Sequence, residues 1–202
     1  MERIVAEAGR LPSVRGLRGL TYPTLFGLLA VTGLRIGEAV ALDGDDVDLT
    51  HGVLTVRRGK GGRERLVPVS DSTRGQLERY ARERDRLLGA RPHPFFVCDR
   101  GRRVGECGAR YNFAAVGRRI GLRPAQTDRR HGRGPRIHDL RHTFAVRTLI
   151  GWYRAGRDPD REMAKLSTYL GHTNPAHTYW YVEAVPELLA LAAERAEREG
   201  VS

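Results

Sequence analysis

The amino-acid sequence predicts a mainly α protein with one small antiparallel β-sheet, an α+β class. Apolar residues recur at helical spacing in several separate stretches, whereas period-two alternation is confined to Val53–Val56 and Arg65–Val69. Those two alternating runs are joined by Gly59-Lys60-Gly61-Gly62, the glycine-rich punctuation of a hairpin with its lysine at the turn.

Taken in order, Tyr22-Pro23-Thr24 followed by Leu25, Leu28, Leu29 and Val31 reads as a helix opened by a proline in its first turn and closed by Gly33. A short helix is expected from about Ile36 to Leu42, then a loop at Asp43-Gly44-Asp45-Asp46, then the hairpin. From Asp71 to Leu88, the residues Leu77, Tyr80, Ala81, Leu87 and Leu88 mark one helical face, with an Asp/Ser cap ahead and Gly89 behind. Phe95-Phe96-Val97 suits a short strand, Tyr111 to Ile120 a helix, and the Arg/Gly-rich stretch Arg123 to Gly134 a loop. Further helices are expected near 138–150, 161–170 and 175–182. An amphipathic helix over about 186–199, acidic in its first turn, closes the chain.

A chain of 202 residues is long enough for one good core, and no composition break divides it, so one domain spanning 1–202 with a core at about 11–185 is expected. The formal net charge is +11, and it is concentrated: residues 91–147 hold 14 arginines against four acids. A field of that sign attracts polyanions, above all nucleic acid, through release of condensed counterions. Two isolated cysteines, Cys98 and Cys107, exclude a disulfide scaffold and fit a reducing cytoplasm. The longest apolar run, Thr24 to Leu34, is too short to cross a bilayer, and no membrane partner is expected.

Three clusters could carry chemistry. In His138-Asp139-Leu140-Arg141-His142, two histidines and an arginine fall at i, i+3 and i+4, so one helical face would present them together. A zinc site there would lack the glutamate of H-E-x-x-H and would place Arg141 beside the cation. Histidines bonded within a core are a second reading, and an oxyanion site is the third, since arginine offers phosphate a two-pronged fork. In Thr32-Gly33-Leu34-Arg35-Ile36-Gly37-Glu38, an arginine stands between glycines where a helix begins, which suits either a plain turn or close approach of a bulky ligand. The third cluster is Tyr169-Leu170-Gly171-His172 with Thr178-Tyr179-Trp180-Tyr181, aromatics that suit a core or a pocket. No Walker motif occurs, and Asp43, Asp45, Asp46 and Asp48 share one loop without the look of a two-metal site.

G-L-R-I-G-E, H-D-L-R-H-T-F-A and Y-L-G-H with a later tyrosine resemble the boxes of the tyrosine recombinase, or phage integrase, family. Their order, their spacing and the hairpin lysine agree with it over Gly33 to Tyr181. The resemblance implies a tyrosine recombinase catalytic-domain-like fold. It further implies site-specific recombination or integration of double-stranded DNA through a covalent 3′-phosphotyrosine, without metal, ATP or other cofactor. Position by position it makes Arg35 and Arg141 active-site arginines, Lys60 the hairpin lysine, His138 the partner of Arg141, His172 the histidine of the L-G-H box, and Tyr181, nine residues beyond it, the nucleophile, with Tyr179 as alternative; by their own chemistry the two arginines suit the non-bridging phosphate oxygens and Lys60 suits protonation of the leaving oxygen. Lys60 is one of two lysines among 33 arginines, a meaningful choice because arginine does not deprotonate.

Four protomers on two DNA segments are implied, with a monomer possible off DNA, each lending its C-terminal helix to a neighbour; Leu188, Leu191 and Ala192 supply an apolar stripe that could equally fold back. Two departures accompany the resemblance. The family's N-terminal DNA-clamping domain is expected to be absent, and the stretch from Gly151 to Asp160 is longer than in compact resolvases, as in transposon- or integron-like branches. Two readings compete: topoisomerase-IB-like relaxation by the same chemistry, and a non-catalytic DNA-binding remnant.

Overall fold

The computed structural model describes residues 1–57, 64–125, 133–171 and 185–200. Within them lie helices α1 (Glu2–Ala8), α2 (Leu17–Thr32), α3 (Ile36–Ala41), α4 (Asp71–Leu88), α5 (Glu106–Arg119), α6 (Asp139–Arg154), α7 (Pro159–Leu170) and α8 (Pro186–Gly200). Strands β1 (Val47–Asp48), β2 (Val53–Val56) and β3 (Arg65–Pro68) form one antiparallel sheet in the order β1-β2-β3. The expected class, mainly helical with a small antiparallel sheet, is the one found.

Local chemistry explains most boundaries. The side chain of Ser70 caps α4 by accepting from the Thr73 amide at 3.4 Å, and Gly89 ends it with a left-handed φ of 67°. In the hairpin Val56 faces Arg65 and Leu54 faces Val67, so Leu54, Val56 and Val67 turn to the core while Leu66 is exposed. The loop expected at 43–46 contains a short 3₁₀ turn, and β1 adds a third strand beyond the predicted pair. Asp46, buried in that turn, accepts from the Asp43 amide at 3.0 Å and pairs with Arg57.

Several expectations need correction. Pro23 does not open α2, which starts at Leu17 and carries the proline inside it. Burial of Leu17, Thr21 and Tyr22 favours the earlier start over the proline's lost amide. Helix α1, unforeseen from so short a pattern, buries Ile4 and Ala8; α5 begins five residues earlier than the apolar spacing indicated. Phe95-Phe96-Val97 is no strand. It makes isolated bridges, Pro94 with Asp43 and Val97 with Arg103, and its rings pack on Tyr80 at centroid distances of 5.3–5.6 Å. Beneath them Arg84 is 1% exposed, with its guanidinium 5.2 Å from the Phe95 ring centre and donating to the Phe95 carbonyl at 2.6 Å. The helix expected at 175–182 lies outside the described residues. The stretch 151–160 holds the last turn of α6, a left-handed Gly156 and the start of α7.

Two hydrophobic cores result. The larger gathers residues of α1 to α5 and the sheet, including Leu25, Phe26, Leu54 and Val67. The smaller consists of Ala145, Leu149, Met163, Leu166, Leu170 and Leu188, from α6, α7 and α8. Helix α6 crosses between them: Leu140 in its first turn belongs to the larger core and Ala145, one turn on, to the smaller, while Tyr169 packs against both.

Candidate functional site

Arginines from three separated elements meet at the C-terminal end of α7. The last carbonyls of a helix have no intrahelical partner and carry the negative end of its dipole, so cations are favoured there. Arg65 donates from Nε to the Tyr169 carbonyl at 3.0 Å, Arg141 from Nη2 to the Leu170 carbonyl at 2.8 Å, and Arg35 from Nη2 to the Gly171 carbonyl at 3.3 Å. Arg141 also donates to the Gly33 carbonyl at 2.7 Å, two residues before Arg35 in the chain. The two arginines singled out from the sequence are thus brought to one turn, and that turn leads directly into His172.

Arg35 precedes α3. Its amide donates to Glu38 Oε2 at 2.9 Å and its Nη1 to Oε1 at 2.9 Å, so the carboxylate caps α3 and holds the guanidinium at once. Glu38 is 6% exposed and receives a second fork, from Arg65, at 3.1 and 2.8 Å. Burial alone would raise the proton affinity of Glu38, but the bonds from Arg65 and Arg35 outweigh it and hold the carboxyl below its usual range. It is therefore ionised at neutral pH.

Two glycines let these elements approach. Gly33 ends α2 at a φ of +63°, and a Cβ there would lie 2.5 Å from the Phe144 ring. Gly171, at +66°, lies against the Arg65 guanidinium, where a Cβ would come within 2.9 Å of Nη1.

His138 precedes the first turn of α6. Its ring meets that of His142 edge to face at 4.7 Å, while Arg141, 2% exposed, turns inward; the expected single face carrying all three groups is divided. Desolvation lowers the proton affinity of His138, and His142, Arg141 and Arg35 push the same way against Asp139, which favours a neutral imidazole. His142 lines a cleft of about 610 Å³ between α6 and α8, with Val146, Ile150 and Glu187 among its walls. Burial drives the Tyr169 phenol up to about 12, so it stays protonated. Lys60, His172, Tyr179 and Tyr181 lie outside the described residues. Among the described residues no group of three or more His, Cys, Asp and Glu could hold a metal ion, and no helix is long and apolar enough to cross a membrane.

Glu38 and Arg65 were missed in the sequence. Glu38 had a legible signal, three residues after Arg35 at the start of a helix; Arg65 had one too, a charged residue at the inward register of β3, opposite Val56.

The chain is 46% identical over 184 residues to y4rB, an integrase/recombinase of Sinorhizobium fredii, covering 90% of this chain and 57% of that protein. It is 31% identical to the tyrosine recombinase XerA of Thermococcus kodakarensis, over 84% of this chain and 53% of that one. The chain therefore spans little more than half the length of these relatives. Among solved structures, a XerA recombinase superposes with a TM-score of 0.72 at 24% identity over 96% of this chain and 60% of that chain. The integrase of the transposon Tn1549, in complex with transposon right-end DNA, superposes at 0.69 and 19% identity over 98% and 63%. At such identities these two superpositions establish the fold. The model of the phage integrase family matches residues 2–187, nearly the whole chain, and the chain belongs to that family, the tyrosine recombinases.

Proposed function

We propose that this chain is the catalytic domain of an enzyme that cuts and rejoins double-stranded DNA at specific sites, for recombination or integration, through a covalent link to Tyr181. The observation that carries this reading is the convergence of Arg35 and Arg141 on consecutive carbonyls of the turn that precedes His172. Two guanidinium groups held by one turn suit the two non-bridging oxygens of a single phosphodiester.

In this reading the Tyr181 phenol oxygen attacks phosphorus, the P–O5′ bond breaks, and the 3′ phosphate remains on the tyrosine. Lys60, on the segment joining β2 to β3, gives its proton to the departing 5′-oxygen. His138, kept neutral by its surroundings, is suited to accept the phenol proton, and His172 to bond the phosphate. The phosphotyrosine conserves the energy of the broken ester, so rejoining to a new 5′-hydroxyl needs neither metal nor ATP. The basic stretch 91–147 supplies the field that draws the duplex in. Four protomers act together on two DNA segments, and the enzyme works in the cytoplasm.

A duplex nicked beside the cleavage site, which cannot religate, tests this. The wild-type chain should form a protein–DNA adduct on a denaturing gel in the presence of chelator, and Tyr181→Phe should form none. Adduct from Tyr181→Phe but not from Tyr179→Phe would move the nucleophile, and a strict magnesium requirement would overturn the mechanism. Exchanged junctions between two site-bearing plasmids identify recombination; relaxed circles alone identify a topoisomerase.

A further inference from the structure

Resting on the reading above, we infer that Arg65 is a positioning residue for the phosphate-binding arginines, acting through Glu38 and the Tyr169–Gly171 turn. Its bonds among the described residues go to Glu38 and to the Tyr169 carbonyl. Two elements close on its guanidinium, α3 through Glu38 and the turn at the end of α7. Nε holds the Tyr169 carbonyl, Nη1 and Nη2 fork onto Glu38, and Gly171 borders the group so closely that a Cβ there would meet Nη1 at 2.9 Å.

Its position argues against a casual surface pair. The Arg65 side chain is 13% exposed and that of Glu38 4%, whereas exposed pairs such as Arg154 with Glu187 stand at 66% and 51%. A carboxylate withdrawn from water needs its countercharges, and Glu38 has two among the described residues, Arg35 and Arg65. With Arg65 removed, Glu38 would be left to Arg35 alone and would draw that guanidinium toward itself, away from the direction a phosphate requires. The same loss would release the Tyr169 carbonyl and leave open the space that Gly171 borders. Both arginines that bond the neighbouring carbonyls would then lose their common reference. Lysine cannot replace this: it is a point charge and cannot present a planar fork to Glu38 while bonding a third group.

The position of Arg65 in the chain adds a second link. It is the first residue of β3, opposite Val56 at the end of β2, and the segment between those two residues carries Lys60. One side chain thus joins the strand flanking the proposed acid to the turn holding the proposed phosphate-binding arginines.

The test uses two nicked duplexes, one with a normal scissile phosphodiester and one with a methylphosphonate, in which a methyl group replaces a non-bridging oxygen and removes the charge that Arg35 would balance. Arg35→Ala serves as the reference: its adduct rate should fall far more on the phosphodiester than on the methylphosphonate. Arg65→Gln and Arg65→Lys, each checked for a cooperative thermal transition, should behave alike, losing roughly 10²-fold on the phosphodiester for a displacement near 1 Å and recovering most of that on the methylphosphonate. Equal loss on both substrates would make Arg65 a structural residue only and overturn the inference, as would unchanged rates. Should Arg65→Gln fail to fold, Arg65→Lys carries the same two outcomes. Absence of adduct from the wild-type chain on either duplex would instead refute the proposed function itself.

Discussion

The larger core is broad, with Phe26 against Phe113 at 5.2 Å and Phe95 against Phe96 at 5.0 Å inside it, while the smaller has, among the described residues, six buried aliphatic side chains from three helices with Phe144, Trp152, Tyr153 and Tyr169 packed around them. The arginine cluster belongs to neither. Arg35, Glu38 and Arg65 are rooted in elements of the larger core, the 169–171 turn ends a helix of the smaller, and Arg141 sits on α6 at the changeover. The arginine cluster is therefore placed at the seam, where its alignment depends on how the two cores meet, and each core alone holds only part of it.

Removing one large side chain from each core breaks this comparison most directly. Phe26→Ala should cost about 3–5 kcal/mol and Leu149→Ala about 2–5 kcal/mol in denaturant unfolding, both positions being fully buried. If the cores fold as one unit, both variants shift a single transition. A separate early transition in Leu149→Ala alone would show that the smaller core unfolds independently.

A smaller effect is expected at the seam itself. Gly33→Ala combines a left-handed backbone with a Cβ 2.5 Å from the Phe144 ring, and a loss of about 1–3 kcal/mol should register as a lower thermal midpoint. A midpoint equal to wild type would mean that α6 yields freely and that the seam is softer than its contacts imply.

The smallest effect concerns pH. Glu38 has a folded proton affinity below its ordinary value of 4.5, so its contribution to stability is complete above that pH and is lost as pH falls through the lowered folded value. The difference in thermal midpoint between wild type and Glu38→Gln should accordingly hold steady near neutrality and shrink in acid below 4.5. A difference that widens on acidification would reverse the sign assigned to the Arg35–Glu38–Arg65 network.

What the sequence disclosed follows the range of the interactions involved. Helix α4 could be read to the residue because its cap, its apolar face and its terminal glycine are all local. Helix α1 and the early starts of α2 and α5 were hidden because tertiary burial of Ile4, Leu17 and Ala109 sets them. Arg35 and Arg141 stood out through the motifs around them, but the turn that unites them did not, because backbone carbonyls leave no mark in a sequence. Arg65 went unread for a related reason. Its partners Glu38 and Tyr169 lie 27 and 104 residues away, and an arginine among 33 attracts no notice.

The three guanidinium groups at the end of α7 also bear on when this chain becomes able to act. They come from positions 35, 65 and 141, and the carbonyls they bond come from 169 to 171, so the cluster closes only after residue 171 has been synthesised and both cores have docked. On the function proposed above, a nascent or half-folded chain carries the basic charge that holds DNA but lacks a place to grip a scissile phosphate. On that reading, strand cleavage is withheld until the two cores have docked, a safeguard that needs no inhibitor.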